Sequence, residues 1–569
     1  MKIVVVDLQL PILLNWEKMP MKSGVTRGLR YGPILSILFA LCQPIASGST
    51  RQMFFSHLPC SPSVASNHPE QTNGVSPSRD KDAVAQPQKT ACFFNVLDYG
   101  AVADGKTLAT KAIQKAVDAC AAAGGGTIHF PAGKYLSGAI RLKSNITLHI
   151  AEGATLLAST NFDDFPPIKP DWKIQSDDTI RSSLITGLDL ENVAITGRGT
   201  LNGQGQPWWQ ALRQDSSRKK GEKQILTYGR PRVINLYRCR NVLIQAVTIV
   251  DSPSWTIHPV GCENLVVDGI SIINPENSPN TDGVNPESCR NVRISNCFID
   301  TGDDCITLKS GRDEQGRAKA RPTENVAITN CVMYKGHGAI VIGSEMSAGV
   351  RNVTASNIIC VGTDRAVRIK STRGRGGVVE NIRLSNFVVE NVKEPISITA
   401  FYTKSDPEPV SARTPVFRDI AISHFTIKKS PCMAKIFGLP EMPVHRLTIA
   451  DIVADTAAGF VCDSVAGLDL QNVQSNVDKG PAFDLRNCRN LELSGIKTTK
   501  PHAGDPVVRL ENIEGAFIRG CSAFPGTGSF LEIAGENTKG IVLIGNHLSV
   551  AQNSFVLKNG AQREAVVEQ

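Results

Sequence analysis

The chain of 569 residues has an ordinary soluble composition, with 41% hydrophobic residues, 20% charged residues and a net charge of +8. This mild charge lacks the dense basic stripe of nucleic-acid-binding proteins, so we expect no nucleic-acid partner, although a polyanionic substrate is compatible with it. Forty-eight glycines and only 6% aromatic residues are typical of a turn-rich β protein and argue against a helical one.

Residues 1–48 contain the three parts of a secretory signal peptide. Met21 is a candidate for the true start, and a basic region follows it. An apolar run over 32–41 comes next, and small residues at 46–48 form a candidate cleavage site. The apolar run is shorter than the roughly 20 residues of a membrane span. We therefore expect a secreted or periplasmic protein without stable membrane association.

Residues 49–90 are rich in Ser, Pro, Asn and Gln, which predicts a disordered linker.

The ordered domain is predicted to span 91–560. Apolar residues at helical spacing predict a helix over 107–122, and three glycines at 124–126 end it. A lone amphipathic helix before a long run of strands suits a cap, because an uncovered solenoid end exposes a sheet edge.

A short phrase recurs from Asn192 onward, in which Asn is followed by apolar residues in alternation. From Asn241 the asparagines are 23, 27, 34, 27 and 29 residues apart. An irregular period of this size predicts a solenoid, and the asparagines could form a ladder along it. Since there is neither a helix pair per unit nor a leucine-rich consensus, we predict an all-β fold. It is a parallel β-helix with an N-terminal capping helix, and the pattern persists more weakly to about residue 555.

Fifteen cysteines occur in the chain, several of them beside the recurring phrase. Their spacing matches neither a disulfide framework nor paired zinc ligands. Most are predicted to be small buried residues stacked inside the coils, since free cysteine packs as a small hydrophobe. A few disulfides remain open for an exported protein.

Three carboxylates lie about one coil apart: Asp282 and Asp303 are 21 residues apart, and Asp304 follows directly. Neighbouring parallel strands are ~4.8 Å apart, so these carboxyls are expected within several ångströms of each other. Aspartates also populate ordinary turns. Crowded carboxylates, however, leave one group as a proton donor while its neighbours stay ionised. Because strand alternation would point Asp303 and Asp304 to opposite faces, a bend or bulge is required there.

Two further polar sites follow along the solenoid. His337 lies between two glycines, where it could hydrogen-bond one acid or a sugar hydroxyl, although a lone histidine is more often structural. In the segment 368–370, alternation places Arg368 and Lys370 on one face and Ile369 in the core. A solvated basic face is the simplest interpretation of these cations. Beside the acids, the pair favours binding of a substrate carboxylate, as hydrolysis of an acidic sugar polymer requires.

The chain resembles glycoside hydrolase family 28, the polygalacturonase family of pectin-degrading enzymes. The resemblance covers most of the chain after residue 90, and its most specific feature is four ordered segments at 280–283, 302–305, 336–338 and 368–370. Residues 343–347 and 372–376 resemble the bacterial branch. The resemblance implies a right-handed β-helix that hydrolyses α-1,4-galacturonosidic bonds of pectin by an inverting mechanism, without metal or cofactor. Exo action is our own expectation beyond the resemblance.

The family pattern also implies catalytic roles. Asp303 would be the general acid, and Asp282 and Asp304 would activate the attacking water. An inverting enzyme requires a wide carboxyl separation of roughly 6.5–9.5 Å. His337 would support protonation of the acid.

Substrate binding is assigned in the same way. Arg368 and Lys370 would hold a galacturonate carboxylate, and Asn280 and Lys309 are further expected binding residues. One departure from the family is Asn285, where many members carry an acid. It lies outside the catalytic trio, so it bears on the details of substrate binding.

Several alternatives remain open at this stage. A rhamnogalacturonan or xylogalacturonan hydrolase is the nearest one. A pectate lyase shares the fold class but works by β-elimination, and a noncatalytic glycan-binding β-helix would have no need of three acids. Exo or endo action depends on whether the loops at 159–185, 204–230 or 311–322 close the end of the groove. The sequence does not indicate the oligomeric state.

Overall fold

Asparagine turns define the coils of the solenoid. The computed structural model describes residues 92–170, 179–214 and 229–569. These residues belong to the compact unit Gln86–Gln569, and the other unit, Met1–Ala85, lies outside the described residues. The predicted signal peptide and all of the predicted linker therefore lie outside the described residues.

The asparagine at the turn of each coil has a left-handed backbone conformation, with φ near 55° at Asn192, Asn241 and Asn264. Asparagine tolerates this conformation better than most residues. Each side chain donates from its amide nitrogen to the amide oxygen of the preceding coil, at 2.9 Å for Asn241 to Asn192 and 3.1 Å for Asn264 to Asn241. The ladder continues to Asn381. The predicted asparagine ladder is confirmed.

Three parallel sheets form the walls, and the first sheet carries the ladder. Its strands are Phe93–Asn95, Gly126–Phe130, Ile146–Ile150, Glu191–Thr196, Arg240–Gln245, Glu263–Asp268, Arg290–Ser295, Arg489–Ser494, Glu514–Arg519, Lys539–Ile544 and Val566–Glu568. The second sheet contains Asp104–Leu108, Gly133–Ser137, Ala154–Ala158, Thr200–Asn202, Thr248–Val250, Ser271–Ile273 and Phe298–Thr301. Longer strands turn the corner between walls: Thr323–Lys335, Val350–Val361, Val378–Glu390, Val416–Phe437, Val444–Asp463 and Val465–Val477.

The third sheet positions the polar residues of interest. Its strands are Ile140–Arg141, Ile185–Leu188, Ile234–Tyr237, Ile257–Val260, Ile306–Leu308, Ile340–Gly343, Val367–Lys370, Ile396–Thr399, Phe483–Arg486, Val508–Glu511, Ser529–Ala534 and Asn553–Lys558. Isolated parallel bridges at Val284 and Glu287 connect its first four strands to the rest. The only antiparallel strand pair of the described chain joins Pro167–Ile168 to Ile180–Arg181.

Aliphatic residues from successive coils fill the interior. Val242, Leu265, Val292 and Val326 occupy equivalent positions on neighbouring strands and are at most 3% exposed. Burying one such side chain contributes about 1.5–3 kcal/mol, and a single coil offers it only one layer of neighbours. The coils therefore stabilise each other, and the predicted parallel β-helix is confirmed.

The capping helix is Thr110–Ala122, close to its predicted span. Its buried face consists of Ile113, Ala116, Val117 and Cys120, as the helical spacing predicted. Further helices are Gln206–Gln214 and Asp313–Lys319, with short 3-10 turns at Val96–Tyr99, Phe162–Asp164 and Arg563–Ala565. At the other end, Val566–Glu568 still pairs with Lys539–Ile544, so the coils continue beyond residue 555.

Cysteines pack inside the coils. Of the thirteen described cysteines, twelve are buried and one, Cys92, is exposed. Burial raises the pKa of the Cys360 thiol well above its ordinary value, which keeps it protonated. This confirms the prediction that most cysteines are small core residues.

Candidate active site

The three acids meet beside the third sheet because the chain bends there. Strand Phe298–Thr301 ends before Asp303, and strand Ile306–Leu308 begins after Asp304. Neither acid is in a strand, so the bend expected from the alternation argument is present. One carboxyl oxygen each from Asp282, Asp303 and Asp304 lies within 4.8 Å of the other two.

Asp303 is the most accessible acid of the three, with 17% of its side chain exposed. Its Oδ1 lies 3.0 Å from His337 Nδ1 and accepts a 2.8 Å hydrogen bond from the backbone N–H of Asp304. Burial raises the pKa of Asp303, but the hydrogen bond and the charge of His337, with Lys370, outweigh it and bring the pKa below its ordinary value. In the substrate-free protein His337 therefore opposes protonation of Asp303, whereas the family pattern had implied support.

His337 approaches Asp303 this closely because glycines flank it. A Cβ on Gly336 would lie 2.5 Å from the carbonyl oxygen of Asp303, and one on Gly338 would lie 2.5 Å from Val341 Cγ2. The His337 side chain is 51% exposed, so its other ring edge faces solvent. The hydrogen bond to Asp303 raises the pKa of His337, and partial burial opposes that shift.

Asp282 is buried, with 3% of the residue exposed. The amide of Asn285 donates a 3.0 Å hydrogen bond to its Oδ2, and Lys309 Nζ lies 4.0 Å from the same oxygen. Burial raises the pKa of Asp282 to about 8, repulsion from Asp303 adds to the shift, and attraction by Lys309 opposes it. Burial therefore favours the protonated form of Asp282 when substrate is absent.

Lys309, expected to bind substrate, is buried beneath the acids with only 4% of its side chain exposed. Its ammonium donates to Glu345 Oε2 at 3.0 Å and lies 4.4 Å from the centre of the Trp255 ring. Burial lowers the pKa of Lys309, but the charges of Glu345 and Asp282 reverse that effect and raise it. The structure therefore orients this cation toward two carboxylates of the protein.

Arg368 and Lys370 lie on strand Val367–Lys370 with Ile369 buried between them, as alternation predicted. Lys370 Nζ donates to Asp304 Oδ2 at 2.7 Å, and Arg368 Nη1 reaches Asp304 Oδ1 at 3.5 Å. The ring of Tyr402 lies 5.6 Å from the Arg368 guanidinium carbon and 5.3 Å from Lys370 Nζ. The two cations are thus brought next to the acids.

Asn280 also faces the site. Its backbone is left-handed, with φ of 54°, and its side-chain nitrogen points to Asp303 Oδ2 at 3.4 Å. Arg230 Nη2 donates a 2.7 Å hydrogen bond to Asn280 Oδ1, which fixes the amide orientation. Asn280 is therefore placed to hold Asp303.

The three carboxylates are close enough to share a cation, but cations of the chain already compensate them. Lys370 and Arg368 neutralise Asp304, and Lys309 lies beside Asp282. These side chains occupy positions from which a metal ion would be repelled. The arrangement instead provides proton donors and acceptors next to fixed positive charge, which is suited to acid–base hydrolysis.

Three residues of the site were not identified from the sequence. Glu345 lies in the segment 343–347 that resembled the family, but the pattern gave it no role. Tyr402 lies in a loop one coil beyond Arg368, and Arg230 is 50 residues before Asn280. No local spacing links these residues to the acids, because only the stacking of coils brings them together.

The family comparison agrees with this geometry: residues 120–436 match the family model described as glycosyl hydrolases family 28. The chain belongs to this family and is a glycoside hydrolase.

Individual relatives are found in plants and bacteria. The chain is 35% identical over 401 residues to a probable polygalacturonase of Vitis vinifera, covering 69% of this chain and 80% of the relative. It is 32% identical over 336 residues to an endo-polygalacturonase of Pectobacterium carotovorum subsp. carotovorum, covering 57% and 78%. Among solved structures, a hyperthermoactive exopolygalacturonase from Thermotoga maritima matches with a TM-score of 0.57 and 32% identity, covering 68% of this chain and 91% of that one.

Proposed function

We propose that this protein hydrolyses α-1,4-galacturonosidic bonds of pectin or polygalacturonate by exo action. The observation that carries the proposal is the placement of Arg368 and Lys370 within 3.5 Å of one catalytic acid, Asp304. A galacturonate carboxylate bound by these cations would place its glycosidic bond next to the carboxyl trio. The polygalacturonase names of the relatives support this substrate class.

Asp303 acts as the general acid in this proposal, because it is the trio member whose carboxyl remains accessible to a sugar. Geometry is the first criterion for such a role, and the pKa is the second. In the free protein burial favours the proton on Asp282. A bound sugar would cover the exposed edge of Asp303, and this loss of solvent would favour its protonated form. The proton then has less than 4.8 Å to travel between carboxyl oxygens.

Asp282 and Asp304 act as the bases that activate water. Asp282 Oδ1 accepts no hydrogen bond from the described residues, so it can accept one from a water molecule. Lys370 and Arg368 contact the two carboxyl oxygens of Asp304 at 2.7 and 3.5 Å. His337 and Asn280 orient Asp303 from two sides, at 3.0 and 3.4 Å.

The inverting course is proposed from the family resemblance alone. The closest oxygens of the trio approach within 4.8 Å, and this spacing does not itself support the wide separation of roughly 6.5–9.5 Å between carboxyl groups of inverting enzymes. The anomer of the first product decides between inversion and retention.

Exo action is supported by elements on the N-terminal side of the acids. Helix Gln206–Gln214 is anchored there, because the Trp208 ring stacks on Phe162 with centroids 3.6 Å apart. Arg213 from the same helix donates to the carbonyl of Asn277 at 2.9 Å, three residues before Asn280. These contacts bring the helix next to the segment that leads to Asn280. Both exo and endo enzymes occur among the relatives, so product analysis is needed.

Export to the cell exterior or periplasm is part of the proposal, with an acidic plant cell-wall polysaccharide as the partner. Within the described residues, no helix combines the length and the apolar character required to cross a membrane. The bacterial affiliation suggested by residues 343–347 stays a prediction, because plant and bacterial relatives both match.

A digest of polygalacturonic acid by the purified protein tests the proposal, with products resolved by mass and chain length. Saturated galacturonic acid released singly is the expected result. Mixed saturated oligomers would mean endo action, and unsaturated products would mean elimination and would overturn the acid–base assignment. If polygalacturonic acid is not cut, rhamnogalacturonan and xylogalacturonan are the next substrates, and their hydrolysis would refute the galacturonan assignment.

A further inference from the structure

Lys309 is buried in the layer beneath the catalytic acids. It follows strand Ile306–Leu308, and its backbone bridges Glu287 on the preceding coil. The ring of Trp255 covers the ammonium at 4.4 Å. With 4% of its side chain exposed, Lys309 cannot meet a sugar carboxylate without moving out of this layer.

The ammonium of Lys309 lies between two carboxylates, at unequal distances from them. Glu345 Oε2 accepts its hydrogen bond at 3.0 Å, and Asp282 Oδ2 is 4.0 Å away. Attraction by Lys309 lowers the pKa of Glu345 to about 2, despite burial that would raise it. Glu345 is thus ionised under all ordinary conditions, and it holds the ammonium at a fixed distance from Asp282.

We propose that Lys309 and Glu345 form a buried positioning pair that sets the charge state of Asp282, so that Lys309 acts through this acid and does not bind substrate. The inference deepens the proposed function and rests on it, because it assumes that Asp282 serves as a base. It assigns a role to Glu345, and it gives Lys309 a role different from the one expected from the sequence.

The electrostatic balance at Asp282 depends on this pair. Asp303 and Asp304 face Asp282 across the bend and repel its negative charge, while Asn285 contributes only a neutral amide. Lys309 is the one cation within 4.0 Å of Asp282 in the described parts of the chain. A cation at this distance typically lowers a carboxyl pKa by about 1–3 units. Without Lys309, Asp282 would stay protonated over more of the working pH range.

Glu345 weakens the effect of Lys309 on Asp282. Its negative charge draws the ammonium into a 3.0 Å hydrogen bond and leaves Asp282 the longer contact. Arg375 attracts Glu345 in turn, and Lys370 compensates Asp304 across the site. Neutralising Glu345 would leave Asp282 as the nearest carboxylate to Lys309. The two members of the pair therefore have opposite effects on Asp282.

The test compares the pH dependence of kcat/KM for Lys309→Met and Glu345→Gln. In the proposed mechanism the free enzyme carries its proton on Asp282, so the alkaline limb reports the loss of that proton. We expect Lys309→Met to move this limb up by about 1–3 pH units and Glu345→Gln to move it down. KM at the pH optimum should stay unchanged in both, since a residue that binds substrate would raise KM instead.

Two further variants control for folding and for general charge effects. Lys435→Met removes a lysine two strands beyond Arg368 on the same sheet, which pairs with Glu394 at 3.2 Å, and should leave the limb in place. The double variant Lys309→Met/Glu345→Gln avoids an unpaired buried charge, and its limb should move up less than that of Lys309→Met. Shifts of the same sign in both single variants, or an unchanged limb with a raised KM, would overturn the inference.

A readout independent of activity separates this inference from the proposed function. Titration of aspartate carboxyl carbons by 13C NMR, with Asp282→Asn for assignment, follows Asp282 directly in wild type and variants. If wild type cuts no galacturonan but the Asp282 resonance shifts as described, the positioning pair stands and the proposed function fails. An Asp282 titration that is the same in wild type and Lys309→Met would refute the pair.

Discussion

Removal of the Lys370 ammonium should destabilise the protein more than removal of an exposed lysine on the same sheet. Lys370 Nζ lies 2.7 Å from Asp304 Oδ2, and the two side chains are 7% and 2% exposed. At this distance and an effective dielectric constant of about 20, the attraction is about 6 kcal/mol. Desolvation of both charges offsets much of it, and breaking one partner of a buried pair typically costs about 3–5 kcal/mol. Arg368 still reaches the other oxygen of Asp304 at 3.5 Å, so for Lys370→Met we expect the lower end, about 3 kcal/mol.

The assay is urea unfolding followed by intrinsic fluorescence, with midpoints compared at equal slope. Lys435→Met is the matched control: its pair with Glu394 is 3.2 Å long, but the lysine side chain is 43% exposed. Such a pair is worth about 0–1 kcal/mol. Adding Asp304→Asn to Lys370→Met should restore part of the loss, because the uncompensated buried charge disappears. Equal midpoints for Lys370→Met and Lys435→Met would refute the reasoning.

Three further outcomes are expected. Asp303→Asn should reduce turnover by about 10²–10⁴-fold, the usual contribution of a general acid, with an unchanged unfolding midpoint. Near wild-type activity in a folded variant would refute the assignment of Asp303 as the general acid. The pKa of Asp282 rises from 3.8 to about 8 on folding, so the folded state binds a proton that the unfolded state releases, and this acid lowers stability progressively as pH increases between these values. Asp282→Asn should therefore gain stability over wild type from pH 5 to pH 8 in parallel urea titrations, and a difference that is constant with pH would contradict the shift. Proton NMR of a fresh digest should show the β-anomer of galacturonate first, whereas early α-anomer would establish retention.

The sequence by itself determined the architecture and predicted most of the residues that meet at the site. Asn241, Asn264 and Asn291 mark the turns because their spacing and the alternation after them are local features. The helical spacing of the apolar residues from Ile113 to Cys120 likewise predicted the capping helix. The one-coil interval between Asp282 and Asp303 was enough to predict their meeting, because parallel strands stack at a fixed distance.

Only the tertiary structure decided how each side chain is used. Lys309 follows one strand of the third sheet and Lys370 ends another. Glu345 nevertheless holds Lys309 near Asp282, whereas Lys370 pairs with Asp304. These partners are 36 and 66 residues distant, across coils of irregular length. Which residues of different coils lie side by side depends on how many residues the bends and turns contain. Burial and charge then follow from contacts between coils, and neither is encoded in the spacing along one coil.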